Sequence, residues 1–323
     1  MRSLLSAATL ALGLGLVSVS PGWSADVKHV AITQIVEHPA LDAARQGIKE
    51  ALAEDGWIEG ETLKWTFQSA QGSVGTAAQI AKTFVGMAPD VIVAIATPSA
   101  QTAVASAGGS IPVVFSAVTD PVGARLVRSM DDPGGPVTGT SDMMPLDKQL
   151  ALIKRVLPGV KTVGVLYNSG EANSVSLVES LKVAAADVGL TIVESTAPRS
   201  SDVLGAARNL VGKVDAIYVP TDNTVVSAFE AVTKVGIDNQ IPVFAGDTAS
   251  VERGAVAAVG FNYHDLGLQT GKMVARILDG ADASTMPVET VKKTELFINP
   301  GMATKMGVTL PEDMIAEATK VVK

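Results

Sequence analysis

The chain is written twice. Val27-Lys28-His29-Val30-Ala31-Ile32 and Val160-Lys161-Thr162-Val163-Gly164-Val165 open two similar units 133 positions apart. Each reads as a short buried strand, a loop (Gln34 to Ala40; Tyr167 to Ser174) and a helix. The helices carry apolar stripes at the same spacing of four and three: Ala44, Ile48 and Ala51 in one, Leu177, Leu181 and Ala184 in the other. Gly56 and Gly189 fall at matching places, where a helix ends in the left-handed conformation. Second strands follow at Leu63–Phe67 and Thr191–Val193. Asp90–Thr97 then matches Asp215–Asp222, each run apolar without alternation, as a strand covered on both faces requires. Ile111-Pro112-Val113 matches Ile241-Pro242-Val243 as the entrance to a further buried strand. Strands alternating with amphipathic helices build parallel sheets through right-handed crossovers. The expected fold class is α/β, two doubly wound Rossmann-like lobes joined by a hinge.

Beyond the second unit lie a strand at Ala255–Phe261, a helix at His264–Leu278 and a last strand at Glu295–Ile298. These are too few for a third domain, so the chain is expected to cross back between lobes. The expected division gives residues 26–142 plus about 262–284 to the N-terminal lobe. Residues 143–261 plus about 285–323 go to the C-terminal lobe. Residues 1–25 are set apart. Arg2, an uncharged run from Leu4 to Val19, and Pro21-Gly22-Trp23-Ser24-Ala25 have the layout of a secretory signal peptide, cleaved after Ser24 or Ala25. With no Cys in the chain, the exported form is expected to be soluble and periplasmic rather than a lipoprotein.

Composition removes several classes of function. No Cys means no thiol catalysis, no Cys-ligated metal and no disulfide. Three His (His29, His38, His264) without HExxH or a His-x-His pair do not make a metal site. A net charge of −8 is the wrong sign for a nucleic-acid partner. There is no Gly-x-Ser-x-Gly elbow, no P-loop, and no Gly-x-Gly-x-x-Gly at the first strand–helix turn. Neither a cofactor, a metal nor an enzymatic activity is expected.

In open α/β sheets, ligands bind at the carboxyl ends of the strands. Two facing lobes bring two such edges to one cleft. The residues after the strands are unusually polar: Thr33, Gln34, Glu37 and His38 after the first, then Thr97-Pro98-Ser99-Ala100-Gln101, then Thr119 and Asp120. The second lobe offers Tyr167, Glu171 and Asn173, then Asp222 and Asn223, then Asp247. Thr97 is placed to cap a helix, which leaves the N–H groups of Ser99, Ala100 and Gln101 for a carboxylate. Asp222 or Asp247 would take a ligand ammonium across the cleft, unless each serves only as a helix cap. His38, His264 and Met143-Met144 read as structural residues.

Together, His38-Pro39-Ala40-Leu41-Asp42, Thr97-Pro98-Ser99-Ala100-Gln101, Val118-Thr119-Asp120-Pro121, Glu171-Ala172-Asn173-Ser174 and Asp222-Asn223-Thr224 resemble a known family. It is that of the ABC-transporter substrate-binding proteins of the tryptophan/tyrosine type. The likeness runs on through Gly267-Leu268-Gln269-Thr270-Gly271 to Ile298-Asn299-Pro300. The resemblance implies a type I periplasmic-binding fold with three interlobe crossings. It also implies an α-amino acid ligand, often aromatic, delivered to a membrane permease and its ATPase by a monomeric carrier. The resemblance puts the ligand carboxylate near Thr97, Ser99, Ala100 and Gln101, with Thr119 adjacent. It gives the ammonium to Asp222 or Asp247, and the side chain to Gln34, Tyr167, Glu171 and Asn173. Two departures stand out: Ser169-Gly170 replaces a Pro-containing loop, and Tyr167 is the one aromatic among these positions. A smaller amino acid or another compact carboxylate is therefore the alternative ligand, and a chemoreceptor or sensor the alternative partner.

Overall fold

The computed structural model describes residues 27–323, so the expected signal peptide and its cleavage site lie outside the described residues. The first unit runs β1 (Lys28–Gln34), α1 (Pro39–Glu54), β2 (Leu63–Ser69), α2 (Val74–Met87), β3 (Val91–Ile95), α3 (Thr97–Ala107), β4 (Val113–Val118) and β5 (Val137–Ser141). The second runs α4 (Leu146–Val156), β6 (Thr162–Tyr167), α5 (Ala172–Asp187), β7 (Thr191–Thr196), α6 (Val203–Arg208), β8 (Ala216–Val219), α7 (Asn223–Ser227), α8 (Phe229–Asn239), β9 (Val243–Ala245), α9 (Ala249–Glu252) and β10 (Ala257–Gly260). The remainder is α10 (Tyr263–Leu278), β11 (Glu289–Thr290), β12 (Glu295–Ile298), α11 (Pro300–Lys305), α12 (Glu312–Glu317) and β13 (Lys320–Val321).

Two sheets result. One has the order β2-β1-β3-β4-β5-β11 and is parallel throughout. The other has the order β7-β6-β8-β9-β10-β12-β13, parallel except where β12 meets β10. The repeat holds down to single hydrogen bonds. Asp90 accepts the His29 N–H at 2.7 Å, and Asp215 accepts the Thr162 N–H at 2.8 Å. The carbonyls of Pro112 and Pro242 accept the N–H groups of Ile92 and Ile217 at 3.0 and 2.9 Å. Each sheet has its own core, around Phe84 and Phe115 in one lobe and around Tyr218, Phe229 and Phe244 in the other.

The chain passes between the sheets three times: between β5 and α4, between β10 and α10, and between β11 and β12. Because β11 pairs with β5, the first lobe's share of the chain runs on to Thr290, past the division expected near 284. The returning helix α10 packs on α1 backbone to backbone. A Cβ on Gly47 would stand 2.2 Å from the His264 carbonyl oxygen, and one on Gly267 would stand 2.1 Å from that of Ala44. Only glycine permits this approach, which fixes the second crossing firmly to the first lobe.

Candidate ligand-binding cleft

The carboxyl edges of the two sheets face each other and enclose two adjoining chambers. The inner one lies beside the crossings. It is lined by His38, Leu41, Thr119 and Asp142 from one side, by Asn173, Asn223 and Asp247 from the other, and by Tyr263. Its volume is about 20 Å³, and roughly 10–15 Å³ suffices for one water-sized group. The outer chamber has a volume of about 260 Å³. Ile35, Val36, Val74 and Pro98 of the first lobe face Pro198 and Thr224 of the second across it. Asn223 forms part of both walls.

The inner chamber is acidic. Asp142 follows β5 and accepts the Thr119 hydroxyl at 2.9 Å and the Tyr263 hydroxyl at 2.6 Å. Asp247 follows β9 and accepts the Ser250 N–H at 2.8 Å and the Ser250 hydroxyl at 2.6 Å. Burial pushes both carboxyls above the ordinary carboxylate range, and the charge of Asp247 adds to the effect on Asp142. Neither has a basic side chain bonded to it. A carboxylate has about four lone-pair sites, so both keep capacity for a cation. His38, between them and Arg253, is held neutral: burial first, and Arg253 second, lower its pKa to about 3.

The helix-terminal site differs in detail from the expected one. Ala96, not Thr97, is the N-cap of α3, at φ 74° and ψ 155°. The Ala100 N–H is spent on the Ala96 carbonyl at 3.0 Å, and the Gln101 side chain donates to the Ala124 carbonyl at 3.3 Å. The N–H groups of Thr97 and Ser99 stay outside the helical ladder, because the first turn has no intrahelical acceptor. Their side-chain hydroxyls are buried without a partner, and of Thr97–Gln101 only Pro98 lines a chamber, the outer one. Nine buried side-chain polar atoms lack a partner among the described residues. Eight belong to the two lobes' strands and to the loops and first helical turns that follow them: Thr33, Gln34, His38, Thr97, Ser99, Asn173, Tyr218 and Thr221. Buried polar groups are rarely left unpaired, and this clustering marks where a polar ligand would complete the network.

Several expected contacts are taken up inside a lobe. Gln34 donates to the Val36 carbonyl at 2.8 Å and to Asp42 at 2.9 Å, bracing the β1–α1 loop. Glu37 is exposed beside Arg45 at 4.0 Å and lines neither chamber. The Tyr167 hydroxyl donates to Glu194 on the neighbouring strand at 2.6 Å, and Tyr167 lines neither chamber. Asp222 caps α7: one oxygen accepts the Val225 N–H at 2.7 Å, the other the Asn168 N–H and the Ser174 hydroxyl, both at 2.6 Å. Burial and then Glu171 push its pKa upward, but its hydrogen bonds are all structural. Glu171 accepts the N–H and side chain of both Asn223 and Thr224 at 2.6–3.1 Å, so its carboxylate serves the start of α7. Thr119, Asn173, Asn223 and Asp247 do line the inner chamber.

Sequence reasoning passed over Asp142, Tyr263 and the chamber-lining place of His38. Asp142 was open to the same rule that picked Asp247, since it directly follows a strand. Tyr263 had no such signal, because it opens a helix after a crossing. Among the described residues, no cluster of His, Asp and Glu is arranged to hold a metal ion, and no helix is long and apolar enough to cross a membrane.

Two α/β lobes joined by three crossings, with unpaired polar atoms gathered on their facing edges, define a bilobal solute-binding protein. The chain belongs to the ABC transporter substrate-binding proteins, whose family model matches residues 29–322. It is 44% identical over 272 residues to a tyrosine-binding protein of Clostridioides difficile, covering 84% of this chain and 79% of that one. It also resembles a Streptococcus pneumonia ABC domain solved in complex with L-Trp. The two share 38% identity and a TM-score of 0.88, over 91% of this chain and 99% of that one. Against a ligand-free, open substrate-binding protein with adhesive properties from Clostridium difficile, identity is 42% over 92% of this chain and all of that one, yet the TM-score is 0.70. Higher identity with poorer superposition is what a rotation between lobes produces, and the lobes here superpose better on the L-Trp complex than on the open protein.

Proposed function

We propose that the protein is exported and captures an aromatic α-amino acid, tyrosine or tryptophan, which it carries unchanged, as a monomer, to an ABC permease and its ATPase. The observation that carries the reading is the division of the cleft into a water-sized acidic chamber and a larger one beside it. An ammonium group is about the size of a water and fits between Asp142 and Asp247. The carboxylate goes to the N–H and hydroxyl groups of Thr97 and Ser99, where the end of the α3 dipole favours an anion by roughly 0.3–2 kcal/mol. The side chain enters the outer chamber. An engineered cavity of about 150 Å³ takes up benzene, so about 260 Å³ gives room for a phenol or an indole. Pro98, Pro198, Ile35, Val36 and Val74 supply its apolar walls.

The energies are of the right size. Burying an aromatic side chain of about 150–250 Å² at about 25 cal/mol per Å² yields roughly 4–6 kcal/mol before ordering costs. Micromolar affinity needs about 8 kcal/mol net, leaving a share for the charged ends. A ligand closes the lobes only through contacts stronger in the closed state, and an ammonium held by Asp247 of one lobe and Asp142 beside the other meets that condition. The test is a thermal-shift and calorimetric screen of the amino acids on protein unfolded and refolded to strip carried ligand. Stabilisation by Tyr, Trp or Phe alone is expected. Stabilisation by none, or by des-amino acids equally, would overturn the reading.

A further inference from the structure

Glu171 lines the outer chamber and not the inner one, and both its carboxylate oxygens are spent inside its own lobe. One oxygen accepts the Asn223 side-chain N–H at 2.6 Å and the Asn223 backbone N–H at 3.1 Å. The other accepts the Thr224 N–H at 3.0 Å and the Thr224 hydroxyl at 2.7 Å. A carboxylate accepts only, so it admits just the nitrogen end of the Asn223 carboxamide. The oxygen end is left for the cleft, and it accepts from no described atom. Asn173 is held in the same sense, its nitrogen donating to the Thr221 carbonyl at 3.0 Å while its oxygen is buried and unpaired.

We infer that Glu171 is a positioning residue: by fixing the Asn223 carboxamide, it makes the second lobe's wall a surface of acceptors and so selects an amino group over a hydroxyl at that place in the ligand. This rests on the reading of the ligand as an α-amino acid, and deepens it. With Asn223 and Asn173 both presenting oxygen, and Asp247 lining the same chamber, the wall offers a three-donor ammonium several acceptors. A hydroxyl has one proton to give and gains less. Were Asn223 free to turn, its nitrogen would face the cleft, donate to a hydroxyl oxygen and repel an ammonium.

The experiment compares L-tyrosine with its 2-hydroxy analogue, 3-(4-hydroxyphenyl)lactate, by calorimetry on the wild type and on Glu171→Gln. A glutamine has one acceptor end where Glu171 has two and can turn its NH₂ either way, so it no longer fixes which end of the Asn223 carboxamide faces the cleft. The wild type is expected to prefer the amino acid by a hundredfold or more, and Glu171→Gln to lower that ratio at least tenfold. Asn223→Ala, which leaves Glu171 its contacts to Thr224, should lower the same ratio if Glu171→Gln folds poorly. Equal weakening of both ligands, with the ratio unchanged, would overturn the inference and leave Glu171 a purely structural role. The side-chain NH₂ signals of Asn223, identified by their loss in Asn223→Ala, give an answer that needs no ligand. They should exchange slowly with solvent in the wild type and rapidly in Glu171→Gln, and unchanged exchange overturns the inference. A wild type that binds neither compound but shows this change in exchange would sink the amino-acid reading alone.

Discussion

The Asp120 carboxylate accepts the Ser176 hydroxyl at 2.6 Å across the boundary between the lobes. Asp120 lies in the loop after β4, where its other oxygen accepts the Gly123 N–H at 2.8 Å, and Ser176 lies on α5 of the second lobe. Neither residue lines a chamber. The bond therefore belongs to the closed state without belonging to the ligand. Asp120→Asn or Ser176→Ala should weaken every ligand by the same factor, about fivefold for a net loss of about 1 kcal/mol. Calorimetry across a ligand series checks this, and a change in ligand preference would show that the bond acts on the site itself.

The acidic residues divide by role. Asp142→Asn and Asp247→Asn each remove a charge from the inner chamber and should cost amino-acid affinity a hundredfold or more. Asp222→Asn keeps an oxygen for the Val225 N–H but sets an NH₂ group against the Asn168 N–H, with an expected cost of about 1–3 kcal/mol in stability and little change in ligand preference. Paired melting and binding measurements on the three variants separate the outcomes. Greater loss of affinity in Asp222→Asn than in Asp247→Asn would reverse the assignment.

Ligand affinity should fall with acidification. Burial holds the Asp142 and Asp247 carboxyls above their ordinary 3.8, so the empty site keeps protons that an ordinary carboxylate has already lost. An ammonium favours the ionised form and drives those protons off, so binding weakens as pH drops through the raised values. His38 acts in the same direction. Its pKa is lowered from 6.5 to about 3 by burial and by Arg253 of the other lobe. Its contribution to the closed form is thus complete above 6.5 and is lost as pH falls towards 3. For unfolding of the empty protein the aspartates oppose it, since a raised carboxyl favours the folded state below 3.8 and gives up that contribution as pH rises through the raised value. Titrations in two buffers of different ionisation enthalpy, from pH 4 to 8, should show proton release on binding towards the acid end. Constant affinity with no proton release would contradict the ammonium site.

Ala96 holds φ 74° and ψ 155°, a region almost confined to glycine, directly before the free end of α3. Such strain costs about 1–3 kcal/mol. Ala96→Gly should raise stability by about 1 kcal/mol once the added freedom of the unfolded chain, about 0.4–1 kcal/mol, is subtracted. Chemical denaturation measures it, and a destabilised variant would mean that the Ala96 methyl packs more than it strains.

The fold was legible because the sequence repeats and because buried parallel strands announce themselves as unbroken apolar runs, such as Val91–Ile95 and Ala216–Val219. The family likeness was legible in the loops after those strands. Which polar residue in a loop faces outward into the cleft was harder to read. Asp222 and Asp247 share the same place after a strand and the same residue type. Both use both oxygens. What separates them is that the second oxygen of Asp222 takes two donors, Asn168 and Ser174, 48 to 54 residues away in sequence, whereas that of Asp247 takes only the nearby Ser250 hydroxyl and Asp247 lines the inner chamber. Glu171 and Tyr167 are turned inward by partners 52 and 27 residues away, Asn223 and Glu194. Periodicity tells which side of a strand is buried. It does not tell which hydrogen-bond partner a side chain at the strand's end will meet.

Asp142 and Tyr263 stand on two of the three crossings and are bonded to each other at 2.6 Å. In any opening of a jaw, points beside the pivot travel least and points at the rim travel most. The acidic chamber beside the pivot therefore opens least when the lobes part, while the walls from Val74 to Pro198 separate most. The two ends of a ligand are thus read at different times. In the proposed binding mode its amino group would meet the acidic chamber on arrival and govern the rate of capture, whereas the ring would be tested only as the rim closes and govern how long the cargo is held.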